Sequence, residues 1–456
     1  MLDEKRLDLF ENAKISKAVL TLTIPTILSS LVMVLYNLAD TFFVGMLSDP
    51  VENAAVTLAA PVLLAFNAVN NLFGVGTSYM MSSSLGRKDY DTVKRSSVFG
   101  FYASLFLSLL FSVFSYFCMD SLLVMLGADS VTAEATEGYL FWTVSIGAPF
   151  SIINVVMAYL VRSEGSAMHA SIGTISGCIL NMILDPFFIL PWGLGMKAEG
   201  AGLATCISNV FACMYFLTYI FLKRKSTFVC VNIKYLTLRK NIVKGICAVG
   251  IPSSIQNLLN VTGMTILNNF TAAFGASAVA AMGIAQKINQ VPTNMNFGLS
   301  QGIMPILSYS WAAGNGERFK KSYMFTIRMS LAFMLLMMTL FLMFAPQLTE
   351  IFMDNDEIVK TGSSLLRGFC LALPFLTLDF ISVGLFQSTG KGHYSLLFAI
   401  CRKIVLEIPL LIILNRIYPL FGLSFAQPVA ELVLAILAII FVRRVFKEID
   451  KKSMIA

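Results

Sequence analysis

A carboxylate inside a membrane-length apolar run is the residue of this sequence best placed to do chemistry. Asp185 lies in a run from about Ser171 to Leu190, which is long enough to cross a hydrocarbon core of about 30 Å as a helix. A charge at that depth costs roughly 2.5–3.5 kcal/mol on insertion scales, so it normally faces a cavity or a partner. Asn181 shares its helix face, since four residues separate the two. The pattern indicates a functional polar site; the plainer alternative is an Asp that only hydrogen-bonds a neighbouring helix.

Further polar residues of the first half lie at a similar predicted depth. Asp40, with Tyr36 and Asn37 a turn away, is near the outer third of the first apolar run, and Thr205 is in the sixth. Two carboxylates in one pocket have two uses. Burial and mutual repulsion favour a proton on one of them, which leaves when the cavity rewets. Alternatively, carboxylate, amide and hydroxyl oxygens suit a hard cation such as Na⁺.

The second half carries a different set of charges. Lys287 falls in the eighth apolar run, where it must pair or lose its charge. The residues that could partner it, or line a cavity with it, are Asp379, Glu407, Gln427 and Glu431. A static ion-pair network and a second coupling site both stay open. Asn70, in the second run, is likewise open between a cavity role and hydrogen bonding between helices.

The composition places these residues in a polytopic membrane protein. Of 456 residues, 57% are hydrophobic and only 13% are charged, and the mean hydropathy is +0.77. The net charge is +7, but basic patches interleaved with aromatic residues are absent, so nucleic acid is not an expected partner. Eight cysteines form no Cys-x-x-Cys pair and are interpreted as small apolar residues. No phosphate-binding loop and no cleavable signal are expected.

Apolar runs and charge placement predict the topology. An all-α membrane protein with twelve transmembrane helices is expected, near residues 18–46, 51–82, 96–118, 138–160, 170–190, 200–222, 245–274, 278–310, 323–345, 362–386, 394–416 and 422–442. Lysine and arginine concentrate at both ends and in the even-numbered loops, whereas acidic residues concentrate in the odd-numbered loops. This alternation follows the positive-inside rule and predicts that both termini are cytoplasmic.

The chain also repeats itself at an offset of 225 residues. Gly-Ala-Pro149-Phe matches Leu-Ala-Leu-Pro374-Phe, and Ser163-Glu-Gly165 matches Ser388-Thr-Gly390. Such an offset spans six helices, so the two halves have the same orientation and relate by a pseudo-two-fold axis along the membrane normal. We predict two parallel six-helix lobes, residues 1–222 and 245–456, joined by a cytoplasmic linker, residues 223–244.

Several short motifs follow one another along the chain. They are Asn37-Leu-Ala-Asp40-Thr-Phe-Phe-Val-Gly45, Leu72-Phe-Gly-Val-Gly76, Arg162-Ser-Glu-Gly165, Asn181-x-x-x-Asp185-Pro186, Gly200-Ala-Gly-Leu-Ala-Thr205, Gly298-Leu-Ser-Gln301-Gly302-x-x-Pro305 and Gln427-Pro428-x-x-Glu431. With these motifs in this order and at these offsets, the chain resembles the multidrug and toxic compound extrusion (MATE) family. The resemblance covers nearly the whole chain, from about residue 10 to 445.

The resemblance implies two six-helix lobes around a central cavity and export of organic cations in exchange for H⁺ or Na⁺. The family's cation site in the first lobe would carry over to Asp40, Asn181, Asp185 and Thr205. One departure matters, because some members have a Glu in helix 7, eight residues after the proline near its start. Here that position is Asn260, so coupling is expected in the first lobe.

The sequence therefore predicts an ion-coupled multidrug antiporter of the inner (cytoplasmic) membrane. It would export small organic cations by alternating access, among membrane lipids, as a monomer without a bound cofactor. The alternative is a lipid-linked precursor flippase of the same superfamily, which needs a basic cavity for a pyrophosphate head group. Only Lys287, Arg402 and Lys403 could line one. An enzyme is not expected, because no clustered His or Ser/Lys dyad occurs at bilayer depth.

Overall fold

Helices account for all the regular structure of the described chain. The computed structural model describes residues 4–47, 49–353 and 355–455, and no β-strand occurs among them. Twelve long helical segments lie at the predicted positions. They are α1 (Ile15–Gly45), α2 (Pro50–Gly86), α3 (Tyr90–Phe117), α4 (133–163), α5 (Ala167–Ile189), α6 (Lys197–Leu222), α7 (Lys240–Ala272), α8 (Ala276–Ala312), α9 (Gly316–Glu350), α10 (356–388), α11 (392–417) and α12 (Phe421–Ile455). The predicted all-α membrane fold is confirmed.

Polarity divides these helices into two groups. Among the described residues, eight helices are long and apolar enough to cross a membrane, and up to ten if each of two bent pairs is one span. Neither α8 nor α11 is in this number. Charges interrupt α11 at Arg402, Lys403 and Glu407, and Gln286 and Lys287 interrupt α8. Polar helices of this kind are tolerated at membrane depth where they are covered by protein or line a cavity.

Three helices contain a π-helical turn. These turns are Asn71–Val75 in α2, Phe141–Ile146 in α4 and Cys401–Glu407 in α11. A π turn holds more residues than an α turn, so it changes the face to which the following side chains point, and it is frequent at functional sites. Bends of 51° in α4 and 47° in α10 occur just before Pro149 and Pro374. Both repeat-related prolines lie in a first helical turn, where no N–H is needed.

The described chain forms two compact units whose membership changes within α1 and α7. Unit one contains residues up to Phe10 together with Leu28–Ser254, and unit two contains Glu11–Ile27 and the chain from Ile255 onward. The first half of α1 thus belongs to unit two, and the first half of α7 belongs to unit one. Each lobe predicted from the sequence, 1–222 and 245–456, contains one of these two helices as a whole, so the bounds of the lobes differ from those of the units. Close helix packing inside each unit explains why α1 and α7 are divided.

Glycines make that close packing possible. In unit one, a Cβ on Gly76 of α2 would lie 2.4 Å from the carbonyl oxygen of Ile246, and a Cβ on Gly250 of α7 would lie 2.1 Å from that of Leu72. In unit two, a Cβ on Gly302 would lie 2.8 Å from a backbone carbon of α1. Because these neighbours are backbone atoms, side-chain rotation cannot relieve the clash.

Substitution of Gly250 therefore has a defined cost. We expect Gly250→Ala to lower the free energy of unfolding by about 1–3 kcal/mol, the usual cost of overpacking. Gly45→Ala is the matched control, because a Cβ there meets nothing within 4 Å. Thermal unfolding of the purified variants in detergent measures the difference. Equal melting temperatures for the two variants would show that the stability of α7 does not depend on the close contact between Gly250 and the backbone of α2.

A buried carboxylate holds the segment between α6 and α7 to unit one. Glu164, just after α4, is fully buried; it accepts the hydroxyl of Thr227 at 2.8 Å and the N–H of Phe228 at 2.6 Å. The hydroxyl of Tyr219 donates to the same carboxylate at 3.0 Å. In the described chain this segment contains one short 3₁₀ turn, Ile233–Tyr235. The predicted linker is therefore, for its first part, an ordered portion of unit one.

Candidate cation-coupling site

Helix α5 presents Asn181 and Asp185 on one buried face. Asp185 is 0% exposed and Asn181 is 2% exposed. With its amide nitrogen turned toward Asp185, Asn181 donates to Asp185 Oδ2 at 2.9 Å. Its amide oxygen then accepts the N–H of Thr205 at 3.1 Å and the hydroxyl of Thr205 at 3.2 Å. The structure thus brings three of the four predicted coupling residues into one hydrogen-bonded group, across α5 and α6.

The packing of α5 on α6 fixes this group. Gly173 and Gly177 precede Asn181 at the same four-residue spacing and therefore lie on the same face of α5. A Cβ on Gly173 would lie 2.4 Å from the ring of Phe216, and a Cβ on Gly177 would lie 3.2 Å from the Cβ of Ala212. The absence of side chains at these positions lets α6 approach, so that Thr205 reaches the amide.

Helix α1 supplies the remaining members of the site. Tyr36 interacts electrostatically with Asp40 and Asp185, and its hydroxyl is within hydrogen-bonding reach of Thr205. Asp185 also interacts electrostatically with Asp40. The Oδ1 atom of Asp40 is shielded and has no hydrogen-bond partner among the described residues. A shielded carboxylate oxygen without a donor, beside a second carboxylate, is a suitable place for a proton.

One aromatic residue of this site does not belong to the predicted set. Tyr139 of α4 is 4% exposed and interacts electrostatically with Asp40, Asp185 and Tyr36. Its depth in the fourth predicted span was the available signal, but a single tyrosine among 14 does not stand out.

Two predicted cavity residues are not bonded to the carboxylates. Asn37 is exposed on α1. Asn70 is buried in α2, and its Oδ1 has no hydrogen-bond partner in the described structure. Among the described residues no group of three His, Cys, Asp or Glu side chains could hold a metal ion. The groups of the site that could bind an ion are two carboxylates, one amide and the hydroxyls of threonine and tyrosine.

The carboxylates of the second half are paired with basic residues of α11. Arg402 lies 2.7 Å from Asp379 Oδ2 and 2.6 Å from Glu431 Oε1. Lys403 Nζ lies 2.6 Å from Glu407 Oε2, four residues along the same helix. All five side chains are buried or nearly so, with 13% or less of each exposed. These five residues form an ion-pair network; whether it also serves as a second coupling site stays open.

Lys287 takes no part in this network. It is exposed on α8, next to the buried Ile288 and Asn289, and makes no ion pair in the described structure. The sequence left open whether Lys287 pairs or loses its charge, and in the structure its side chain is exposed rather than buried among these carboxylates. Arg402 and Lys403 of α11 are their basic partners instead. Gln427 lines the same cavity as this turn.

The known proteins similar to this polytopic all-helical chain are membrane transporters and not enzymes. The chain belongs to the MatE family, whose model matches residues 25–187 and 252–413, one match in each half. These two matches agree with the internal repeat read from the sequence.

Similar proteins cover the whole chain. The multidrug export protein MepA of Staphylococcus saprophyticus is 30% identical over 455 residues, which is 99% of each chain. A structure described as the outward-facing conformation of a multidrug resistance MATE family transporter of the MOP superfamily is 27% identical, with a TM-score of 0.92 over 98% of this chain and 99% of that one. A MOP superfamily transporter from Pyrococcus furiosus, described as having a binding pocket of reverse polarity, is 26% identical, with a TM-score of 0.90 over the same shares.

Proposed function

We propose that this protein is an ion-coupled multidrug antiporter that exports organic cations, with Asp40, Asn181, Asp185 and Thr205 as its coupling site. The observation that carries the proposal is the neighbouring pair Asp40 and Asp185, in which Asp185 is fully buried and Asp40 has a shielded oxygen without a partner in the described structure. The similarity to multidrug export proteins over the full chain supports the substrate class. The distribution of basic residues supports a cytoplasmic membrane location with both termini inside.

Charge neutralisation explains how the site couples two fluxes. When the pocket faces outward, a carboxylate takes up an ion and the pocket loses negative charge. Ion binding thereby favours the state of the protein in which a cationic substrate is held less strongly and leaves. When the pocket faces inward, the ion leaves and the restored charge favours the next substrate. Because ion and substrate favour different states, each shifts the equilibrium against the other.

With the amide nitrogen of Asn181 turned toward an ionised Asp185, the hydrogen bonds of Asn181 favour a proton over Na⁺ as the coupling ion. Its amide nitrogen donates to Asp185, and its amide oxygen is occupied by Thr205. A Na⁺ ion shared by Asp185 and Asn181 needs the amide oxygen, since cations of this kind bind to oxygen. The amide would have to turn over and give up these hydrogen bonds. A proton on a carboxylate requires no such change.

Transport into proteoliposomes tests the proposal and the choice of ion. Ethidium movement is followed by fluorescence under an imposed pH gradient, and separately under an imposed Na⁺ gradient at equal pH. We expect the pH gradient to drive transport and the Na⁺ gradient to leave it at the rate of protein-free vesicles. Transport driven by Na⁺ alone would assign the other ion. No ethidium movement under either gradient would overturn the multidrug proposal.

The flippase alternative is less well supported by the second unit. A pyrophosphate head group needs uncompensated basic side chains. Arg402 and Lys403 each contact carboxylates at 2.6–2.7 Å, and Lys287 is exposed outside this network. Among the described residues that line this cavity, each basic side chain therefore has a carboxylate partner. The similar P. furiosus structure is described as having a binding pocket of reverse polarity. For this reason, the charge inside the cavity is a better guide to the substrate class than the fold is.

A further inference from the structure

Unit two contains a cavity of about 290 Å³ between α7, α8, α10, α11 and α12. Its wall combines apolar and aromatic side chains, such as Met264 and Phe380, with amides, such as Gln290 and Asn294. This volume is near the lower end of small-molecule sites, and the mixed lining is typical of them. The wall suits a compact molecule with an apolar body and a polar or charged group.

The charges around the cavity do not cancel. Asp379, Glu407 and Glu431 carry three negative charges when ionised, and Arg402 and Lys403 carry two positive charges. These five side chains form one electrostatic group. The charged residues that line the cavity itself in the described structure are Arg402, Lys403 and Glu407. With all three carboxylates ionised, one positive charge is missing from the group, and either a proton or a monovalent cation in the cavity would supply it.

The two basic residues differ in how firmly they are held. Arg402 is fixed by two carboxylates, Asp379 and Glu431, and by the ring of Phe380, whose centroid is 4.9 Å from its guanidinium carbon. Lys403 has a single ionic partner, Glu407. Glu407 is therefore the carboxylate whose positive partner can be exchanged at the lowest cost.

The lysine reaches its partner across a glycine. A Cβ on Gly263 of α7 would lie 2.7 Å from Cδ and 3.0 Å from Nζ of Lys403. The ammonium thus depends on the missing side chain at position 263. Asn289 Oδ1, which belongs to a buried residue of the same wall, has no hydrogen-bond partner in the described structure. It offers an acceptor to a displaced ammonium or to an N–H of a bound cation.

We propose that this cavity binds the organic cation at Glu407 and that Lys403 is a tethered competitor for the same carboxylate. The bound cation displaces the ammonium of Lys403, and the group of charges becomes neutral. This inference rests on the proposed export of organic cations and names the residues that select them. Lys403 thereby sets how tightly a cation is held, so that binding stays weak enough for release.

Ethidium binding to the purified full-length protein, measured by fluorescence polarisation in detergent without any gradient, tests the inference. We expect Lys403→Gln to bind ethidium about tenfold more tightly, because the competing charge is gone. Glu407→Gln should bind at least about tenfold more weakly, because the anionic partner is lost. Binding by Lys403→Gln that is equal to or weaker than that of the wild type would overturn the inference.

A second pair of variants keeps every charge and guards against misfolding of the first pair. Gly263→Ala places a methyl group against the Lys403 side chain and should tighten ethidium binding several-fold. Gly283→Ala of α8 is the control, since a Cβ there meets nothing within 4 Å, and it should bind as the wild type does. Equal affinity in Gly263→Ala and Gly283→Ala would contradict the role of Lys403.

These results separate the inference from the proposed function. If ethidium transport occurs but Lys403→Gln and Gly263→Ala bind as the wild type does, the proposed function stands and the inference fails. If no gradient drives transport but the variants change affinity as expected, the cation site stands and ion coupling fails.

Discussion

Asp185→Asn is expected to lower gradient-driven ethidium transport by about 100-fold, near the upper end of the coupling measured between two sites. The asparagine keeps the size of the side chain and an oxygen that accepts from Asn181. It cannot exchange a proton and carries no charge. Asp185 is fully buried against Asn181 and near Asp40, so the variant leaves Asp40 as the single carboxylate among the residues described for the site. Initial transport rates in proteoliposomes measure the effect.

The matched control is Asp120→Asn, the same chemical change at an exposed position of the short helix Met119–Leu126. This variant should transport ethidium at the wild-type rate. Melting temperatures of both variants show whether the proteins are folded. Wild-type transport by Asp185→Asn would remove the coupling role from the first half and direct attention to Glu407 and Glu431.

The second large effect concerns stability rather than transport. We expect Arg402→Gln to lower the free energy of unfolding by about 3–5 kcal/mol, because breaking a buried ion pair leaves uncompensated charge. Here two carboxylates lose their partner at once, Asp379 at 2% and Glu431 at 0% exposure. Unfolding in mixed micelles with increasing denaturing detergent measures this loss.

Two further variants show whether charge is the cause. Arg328→Gln removes an exposed arginine of α9 that forms no ion pair in the described chain, and it should be close to neutral. The triple variant Asp379→Asn/Arg402→Gln/Glu431→Gln removes all three charges and should recover most of the stability lost in Arg402→Gln. If Arg402→Gln costs no more than Arg328→Gln, the ion-pair network does not support the fold.

Local patterns in the sequence were sufficient for most of the helices and for the core of the candidate site. Apolar runs predict spans because a membrane demands about 20 apolar residues. The spacing of Asn181 and Asp185 predicts a common helix face, and the structure shows that face with Gly173 and Gly177 on it. These properties depend on residues within one helix, so the sequence alone contains them.

Properties that depend on distant residues could not be predicted. Lys287 was a candidate partner of the buried carboxylates because it lies within an apolar run. The sequence does not show which face of α8 is covered, and the structure leaves Lys287 exposed. Likewise, the change of unit within α7 depends on Gly76 and Gly250 meeting backbone about 170–180 residues away, a separation that no local pattern records.

Reciprocal coupling is the central claim, and counter-transport of protons tests it most directly. Proteoliposomes with a pH-sensitive dye inside are prepared at equal pH on both sides, and ethidium is added outside under voltage clamp by an ionophore. The account predicts that ethidium entry drives proton exit from wild-type vesicles and that this proton movement is lost with Asp185→Asn. Ethidium entry through the wild-type protein without proton movement, and with no movement of Na⁺, would contradict it.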